Sequence, residues 1–277
     1  MRLTLFVLLF SVSSFAYCID RVISLAPSST ELIYAAGLGD KLVAVSKYSN
    51  YPEEAQSLEI VASFDSVNIE RIVALNPDLI VAWRSGGSMK ALNQLKELGF
   101  SIYYSDTTYL SEIADRIDEL SQYADSAKIG HDNAQAYRTE LKRLQNHYSN
   151  NVPVSYFYQL SSKPIYTIAK NHWPSEVFSL CGGVNIFEQS PIPYPQVGLE
   201  QVILKAPEVM FTSPHTIQNT EIWQPWQEQI PAVKHQFIWS LNADWLNRPT
   251  PRSLKAVAQA CEFFDIARKE YNPETLR

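Results

Sequence analysis

One sequence pattern occurs twice in this chain and constrains the fold more than any other feature. Residues 69–83 read IERIVALNPDLIVAW, and residues 199–213 read LEQVILKAPEVMFTS. Each copy has apolar residues near helical spacing, then a proline that ends the helix, then an apolar run typical of a buried parallel strand. Because helix, proline and strand recur in the same order, the sequence predicts two similar halves produced by internal duplication.

The segments around each copy predict an α/β fold. In the first half, RVISLAPSSTELIYAAGLGDKLVAVS predicts a strand, a helix with a capping box from Ser28 to Glu31, and a second strand after Gly37. In the second half, VPVSYFYQL and FIWSL predict strands, and PSEVFSLCGG predicts a helix. Since alternating strands and helices are typical of parallel sheets, we predict two Rossmann-like lobes, at residues 20–124 and 150–277.

A long helix is predicted between the two lobes, at residues 125–149. Residues 109–148 contain no proline and a single glycine, and their pattern predicts two helices. The second helix would run for about 24 residues, or about 36 Å at 1.5 Å per residue. Because the composition of this segment differs from that of a flexible Gly/Ser linker, we predict a rigid connection and little lobe closure.

The first residues have the pattern of a secretory signal peptide. Arg2 precedes a short apolar run, and small residues follow it up to Ala16. The run is shorter than the roughly 20 apolar residues that a transmembrane helix needs. We therefore predict a signal peptide over residues 1–16 and an exported mature protein. Cleavage after Cys18 and a lipid anchor on that cysteine are the alternatives.

Export changes what is expected of the cysteines, because thiols in an oxidising compartment tend to pair. Cys181 and Cys261 are the only cysteines in the body of the chain. We predict that they form a structural disulfide, with two buried free thiols as the alternative.

The composition argues against several classes of function. The net charge of −6 lacks the basic excess with which proteins neutralise nucleic-acid phosphates. The sequence has no P-loop, no G-x-G-x-x-G fingerprint and no G-x-S-x-G elbow. No metal site is predicted, because metal-ligand spacing is absent among the five histidines, His131, His147, His172, His215 and His235. For His172, beside Trp173, contact with a ligand or its metal is the alternative.

Four stretches resemble one known family. RVISLAPSSTELIYAAG, IERIVALNPDLIVAWRSGG, CGGVNIFEQSPIPYPQVGLEQV and DWLNRPTPR are similar to segments of the helical-backbone (class III) periplasmic binding proteins that feed ABC importers. The first two stretches are shared in outline with ferric-siderophore and haem binders, and the last two are closest to the cobalamin-binding members. The resemblance covers nearly all of the mature chain. It implies a periplasmic monomer that binds cobalamin between its lobes, uses no cofactor, and delivers the ligand to a membrane permease dimer.

The resemblance also implies a set of ligand-binding side chains. They are aromatic residues for the faces of the ligand and a polar segment for its edge: Tyr48, Phe64, Trp83, Tyr166, Tyr194, Asp244, Trp245 and Arg248. A corrinoid is a flat, largely uncharged ring edged with amides, so this combination suits it. Phe64 and Tyr194 replace tryptophans of the family pattern, and Tyr166 replaces a phenylalanine. Aromatic character is kept, so these departures bear on affinity and pose rather than on ligand class.

Glu70 and Glu200 occupy the second position of the two repeated helices. One interpretation is electrostatic, because a carboxylate in the first turn interacts favourably with the helix dipole by about 0.3 to 1 kcal/mol. The resemblance implies another, in which one such glutamate on each lobe docks onto arginines of the two importer subunits. The two interpretations are compatible.

Two other functions stay open at this point. A ferric-siderophore or haem binder would keep the fold, but an anionic siderophore requires several arginines in the cleft, and the sequence offers only Arg84 and Arg248. An exported enzyme on a two-lobed scaffold would need a nucleophile with its base or a pair of carboxylates, for which Asp244 alone is insufficient. We therefore predict a binding protein without catalytic residues.

Overall fold

The computed structural model describes residues 19–169, 173–212 and 221–271. The predicted signal peptide over residues 1–16 lies outside these ranges, as do Cys18, His172 and His215. In the described ranges, no helix is both long enough and apolar enough to cross a membrane.

The first lobe is built on a parallel sheet. Within residues 19–169 its strands are β1 (Val22–Ser24), β2 (Leu42–Ser46), β3 (Glu59–Ala62), β4 (Leu79–Ala82) and β5 (Ile102–Tyr104). Their order across the sheet is β3-β2-β1-β4-β5, and all neighbouring pairs are parallel. The helices are α1 (Pro27–Ala35), α2 (Ile69–Leu75), α3 (Met89–Glu97) and α4 (Leu110–Ser121), with 3₁₀ turns at Gly39–Lys41, Glu53–Ser57 and Arg84–Gly86.

A single long helix, α5 (Lys128–Tyr148), connects the lobes. It has 21 residues, a length of about 32 Å at 1.5 Å per residue. Arg138 of α5 forms ion pairs with Asp118 at 2.6 Å and Asp115 at 2.7 Å on α4. One apolar cluster includes buried residues of both lobes and, from α5, Leu141 and Leu144. The connection is therefore a packed helix.

The second lobe contains another parallel sheet. Its described strands are β6 (Val154–Gln159), β9 (Gly183–Asn185), β10 (Val209–Thr212) and β11 (Ile238–Ser240), in the order β11-β10-β6-β9. A small antiparallel hairpin is formed by β7 (Ser161–Ser162) and β8 (Ile165–Tyr166). The described helices are α6 (Ser175–Leu180), α7 (Leu199–Lys205), α8 (Pro231–Lys234), α9 (Ala243–Leu246) and α10 (Ser253–Tyr271), with a 3₁₀ turn at Glu221–Trp226. The predicted class, two α/β lobes with parallel sheets, is confirmed.

The two copies of the repeated pattern have the same backbone. α2 and α7 are both seven residues long. The residues after them, Asn76 and Ala206, both adopt a left-handed φ of 44°. Their N–H groups donate to Ile72 O and Val202 O, which closes the helix ends. Because alanine rarely adopts a positive φ, the shared geometry supports internal duplication.

The capping box predicted from Ser28 to Glu31 is wrong. α1 begins at Pro27, after the extended residue Ala26, and no side chain caps it. Proline is favourable at the first helical position, where an N–H has no helical partner, so the helix starts earlier than predicted. Glu31 consequently lies inside the helix and is buried between the lobes.

The predicted disulfide between Cys181 and Cys261 is confirmed. It joins the end of α6 to α10, and both cysteines are fully buried. Phe178 and Phe264 belong to the same apolar cluster. The bridge therefore fastens the C-terminal helix to the core of the second lobe.

Candidate ligand-binding cleft

A cavity of about 220 Å³ lies at the carboxyl ends of β1, β2, β3 and β4. Three of the predicted aromatic residues line it: Tyr48, Phe64 and Trp83. Each of them follows a strand of the first sheet by one or two residues. Since parallel α/β sheets place ligands at the carboxyl ends of their strands, this cavity is the first lobe's half of a candidate cleft.

The aromatic side chains of this cavity are unusually open to solvent. Phe64 is 88% exposed and Tyr48 is 69% exposed. Clustered exposed aromatic area is typical of a surface that a ligand or partner covers. Trp83 is held more firmly, because its ring lies against Gly86, where a Cβ atom would come within 2.0 Å of the ring. A glycine is therefore needed at that position to leave room for the indole.

Tyr48 has a backbone conformation that its neighbours hold in place. Its φ of 68° lies in the left-handed region, which is unfavourable for a bulky side chain. Its carbonyl accepts hydrogen bonds from the Asn50 N–H at 2.9 Å and from Arg248 Nη2 at 3.3 Å. Such strain concentrates at functional sites, where the surrounding structure maintains it.

The predicted polar segment lies at α9 and just after it. Asn242 caps this short helix by accepting from the backbone N–H groups of Asp244 and Trp245 at 3.0 and 3.1 Å. Asp244 pairs with Arg248 at 2.8 Å and accepts from Asn50 Nδ2 at 3.2 Å. The structure therefore joins the polar segment of the second lobe directly to the Tyr48 loop of the first.

The two aromatic candidates of the second lobe lie apart from the 220 Å³ cavity. Tyr166, on β8, is 37% exposed, and Tyr194 is 50% exposed. Tyr194 OH donates to Trp173 O at 3.4 Å, and Trp173 Nε1 donates to Leu246 O at 2.8 Å. Tyr194 is therefore anchored beside α9, while the role of these two tyrosines in ligand binding stays a prediction.

Three further residues belong to the site and are missed by the sequence analysis. They are Glu31, Asn50 and Arg252, which contact Arg248 or share its partner. Arg252 ends the quoted stretch DWLNRPTPR, four residues after Arg248, and this spacing is the available sequence signal. The sequence analysis misses Glu31 because its position in the sequence suits a helix cap. Its true partners become adjacent only when the lobes pack.

A larger cavity, of about 440 Å³, lies where α1, α5 and the beginning of α10 meet. Tyr34, Tyr51 and Tyr137 line it together with Glu31 and Arg252. It is lined by residues of these helices and by Tyr51 and Pro52 of the loop after β2, and none of the predicted ligand residues lines it. We therefore assign the candidate cleft to the smaller cavity, on the grounds of position and chemistry.

Glu70 and Glu200 occupy equivalent positions on α2 and α7. Both side chains are exposed, and both lie in the first turn of their helix. The neighbouring Arg71 is engaged with Glu59, with Nε 2.6 Å from Oε1. Arg71 is thus occupied by another carboxylate. Because both glutamates are exposed, their carboxylates are accessible at the surface.

No group of three or more His, Cys, Asp or Glu side chains within the described ranges is arranged to hold a metal ion.

Two α/β lobes joined by one helix, with aromatic residues lining a cavity at the strand ends, define the class of two-lobed solute-binding proteins. The chain belongs to the periplasmic binding protein family, whose model matches residues 22–244.

The names of several similar proteins state the ligand that those proteins bind. A vitamin B12-binding protein of Vibrio vulnificus is 56% identical over 257 residues, which cover 93% of this chain and 94% of that protein. The crystal structure of the periplasmic vitamin B12-binding protein of Vibrio cholerae matches with a TM-score of 0.86 and 55% identity, over 91% of this chain and 98% of that chain. The periplasmic haem-binding protein of Roseiflexus sp. RS-1 has a TM-score of 0.79 but 21% identity, over 90% and 99% of the two chains, so it shares the fold alone.

Proposed function

We propose that this chain captures cobalamin in the cleft between its lobes and delivers it to an ABC importer of the inner membrane. The observation that carries the proposal is the convergence of Tyr48, Phe64 and Trp83 on one cavity at the strand ends. The names of the most similar relatives, which are vitamin B12-binding proteins, support the choice of ligand. The protein then acts by binding, without catalysis.

The proposed domain organisation is the one predicted from the sequence. A signal peptide at residues 1–16 directs the chain to the periplasm, and the lobes at residues 20–124 and 150–277 are joined by the helix at 125–149. The mature protein works as a monomer. Glu70 and Glu200 dock onto the two subunits of the permease dimer.

The chemistry of the ligand fits the cleft. Aromatic rings cover the flat faces of a corrinoid, and the polar groups beside α9 are available to its amide edge. If each of the five predicted aromatic residues buries about 100 Å² at about 25 cal/mol per Å², the gross gain is about 12 kcal/mol before the costs of association. That gain makes tight binding by a preorganised cleft feasible.

The charge of the cleft favours cobalamin over an anionic siderophore. Arg248 was one of two arginines available for such a ligand, but it pairs with Asp244 at 2.8 Å and Glu31 at 3.3 Å. Its charge is already compensated by protein carboxylates, which leaves Arg84 as the one arginine of the pair available to a siderophore. Haem binding is retained as the second candidate, because its large aromatic face makes the same demand on Tyr48, Phe64 and Trp83.

Isothermal titration of the mature protein with cyanocobalamin is the first test. We expect one cobalamin per chain with submicromolar affinity, unchanged by haem or a ferric siderophore as competitor. Displacement of cobalamin by haem would select the second candidate. Absence of heat and of tryptophan quenching with cyanocobalamin would contradict the first candidate and turn the search to haem and other metal chelates.

Replacing Trp83 by alanine is expected to weaken cobalamin binding. Loss of about 100 Å² of aromatic contact corresponds to about 2.5 kcal/mol, or about 70-fold in Kd. Titration of Trp83→Ala measures the change. Trp83→Phe, which keeps a ring, should lose only a few-fold. Tyr123→Ala should lose nothing, because Tyr123 is an exposed aromatic residue at the opposite edge of the first sheet. Equal affinity of Trp83→Ala and the unaltered protein would remove Trp83 from the site.

A further inference from the structure

A buried carboxylate of the first lobe is paired with two arginines of the second. The side chain of Glu31, on α1, is only 2% exposed. It accepts hydrogen bonds from Arg252 Nε at 2.8 Å, from Arg252 Nη2, and from Arg248 Nη1 at 3.3 Å. These arginines are its hydrogen-bond donors among the described residues. Because a buried charge is costly unless it is paired, Glu31 is compensated only while the lobes keep this arrangement.

The same two arginines hold the loop that follows β2. Arg248 Nη1 donates to Asn50 Oδ1 at 2.7 Å, and Arg248 Nη2 donates to Tyr48 O at 3.3 Å. The guanidinium of Arg252 lies 4.1 Å from the centre of the Tyr51 ring, a cation–π contact. Residues 48–51 of the first lobe are therefore held from the second lobe, by arginines that meet on Glu31.

This arrangement links a buried charge to a side chain in the cavity. Tyr48 lines the 220 Å³ cavity and has the unfavourable φ of 68°. A strained residue keeps its conformation only where surrounding contacts over-determine it. The contact of Arg248 with the Tyr48 carbonyl supplies one such constraint, and Glu31 and Asp244 in turn fix the guanidinium.

We propose that Glu31 is a positioning residue for the ligand cleft. It fixes Arg248 and Arg252 across the lobe interface, and these arginines hold residues 48–51 so that the Tyr48 ring is presented to the ligand. Arg248 then holds the loop in addition to the contact with the edge of the ligand that the family resemblance implies. In its effect on affinity, this inference rests on the proposed cobalamin function.

The test is Glu31→Gln, which keeps the size of the side chain but removes its charge. At a temperature where the variant is folded, we expect cyanocobalamin to bind about tenfold more weakly. In the ligand-free protein, amide hydrogen exchange of residues 48–51 should be about tenfold faster, while exchange in β6 stays unchanged. Glu140→Gln is the matched control, because Glu140 is a partly exposed carboxylate on α5 paired with Arg143, and neither measurement should change.

Asn50→Ala is the second variant, for use if Glu31→Gln does not fold. It removes the Arg248 contact from the exposed loop, and it should also accelerate exchange at residues 48–51 and weaken binding. Unchanged exchange at residues 48–51 would overturn the proposal. An equal acceleration of exchange throughout the chain would also overturn it, because that result indicates a purely structural role. If the unaltered protein binds no cyanocobalamin, the proposed function fails, and the exchange comparison still decides whether Glu31 holds the loop.

Discussion

Reversing both proposed docking charges, in the variant Glu70→Arg/Glu200→Arg, is expected to abolish delivery to the importer while leaving cobalamin affinity intact. Both carboxylates are exposed on equivalent helices of the two lobes. Arginine at both positions would face the permease arginines with like charge, which costs several kcal/mol and weakens association by at least about 1,000-fold. Binding of the variant to importer in proteoliposomes, and uptake of cobalamin by those vesicles, measure the effect.

The controls separate docking from general charge effects. Glu97→Arg/Glu262→Arg makes the same change in net charge, at one exposed glutamate on each lobe outside α2 and α7. We expect this control to associate with the importer as the unaltered protein does. Normal delivery by Glu70→Arg/Glu200→Arg would leave only the helix-dipole interpretation of these residues. Loss of cobalamin affinity in that variant would show that the substitutions disturb the fold, and the docking proposal would fail.

Reducing the disulfide is expected to cause the largest loss of stability. The bridge between Cys181 and Cys261 spans 80 residues. A closed loop of that length restricts the unfolded chain by about 4.5 kcal/mol in the chain-entropy model. For a protein of this size, such a loss lowers the Tm by about 10 °C. Thermal unfolding of the unaltered protein, with and without a reductant that opens the bridge, measures it.

A variant without the bridge provides the control. Cys181→Ala/Cys261→Ala should unfold near the Tm of the reduced protein and should not respond to the reductant. An unaltered Tm after confirmed reduction would contradict the expected contribution. Because α6 and α10 both belong to the second lobe, cobalamin contacts made by the first lobe should survive reduction at room temperature.

The elements that the sequence predicts well are those whose sequence signals lie within the element itself. The repeated units contain a helical apolar stripe, a proline stop and an apolar strand, and the structure has α2–β4 and α7–β10 at those positions. Asn68 caps α2, accepting from the Arg71 N–H at 3.0 Å. Tyr48, Phe64 and Trp83 converge because each follows a strand of one parallel sheet, whose carboxyl ends share an edge.

What the sequence does not reveal depends on contacts between distant segments. Strand β9 has only three residues, beginning at Gly183, and forms by pairing with β6. The hairpin that carries Tyr166 is equally short, with two residues in each strand. The charge of Glu31 is compensated 217 and 221 residues further along the chain, by Arg248 and Arg252. No local pattern records such a pairing, so a plausible cap was predicted in its place.

The apolar cluster that passes through α5 is shared by both lobes. It includes Leu32 of the first lobe, Leu141 of the connecting helix and Phe178 of the second lobe. Unfolding of either lobe would expose apolar side chains of the other lobe to water. The hydrophobic free energy lost on that exposure couples the unfolding of the two lobes. We therefore expect the two lobes to unfold together in one transition, although the architecture contains two sheets.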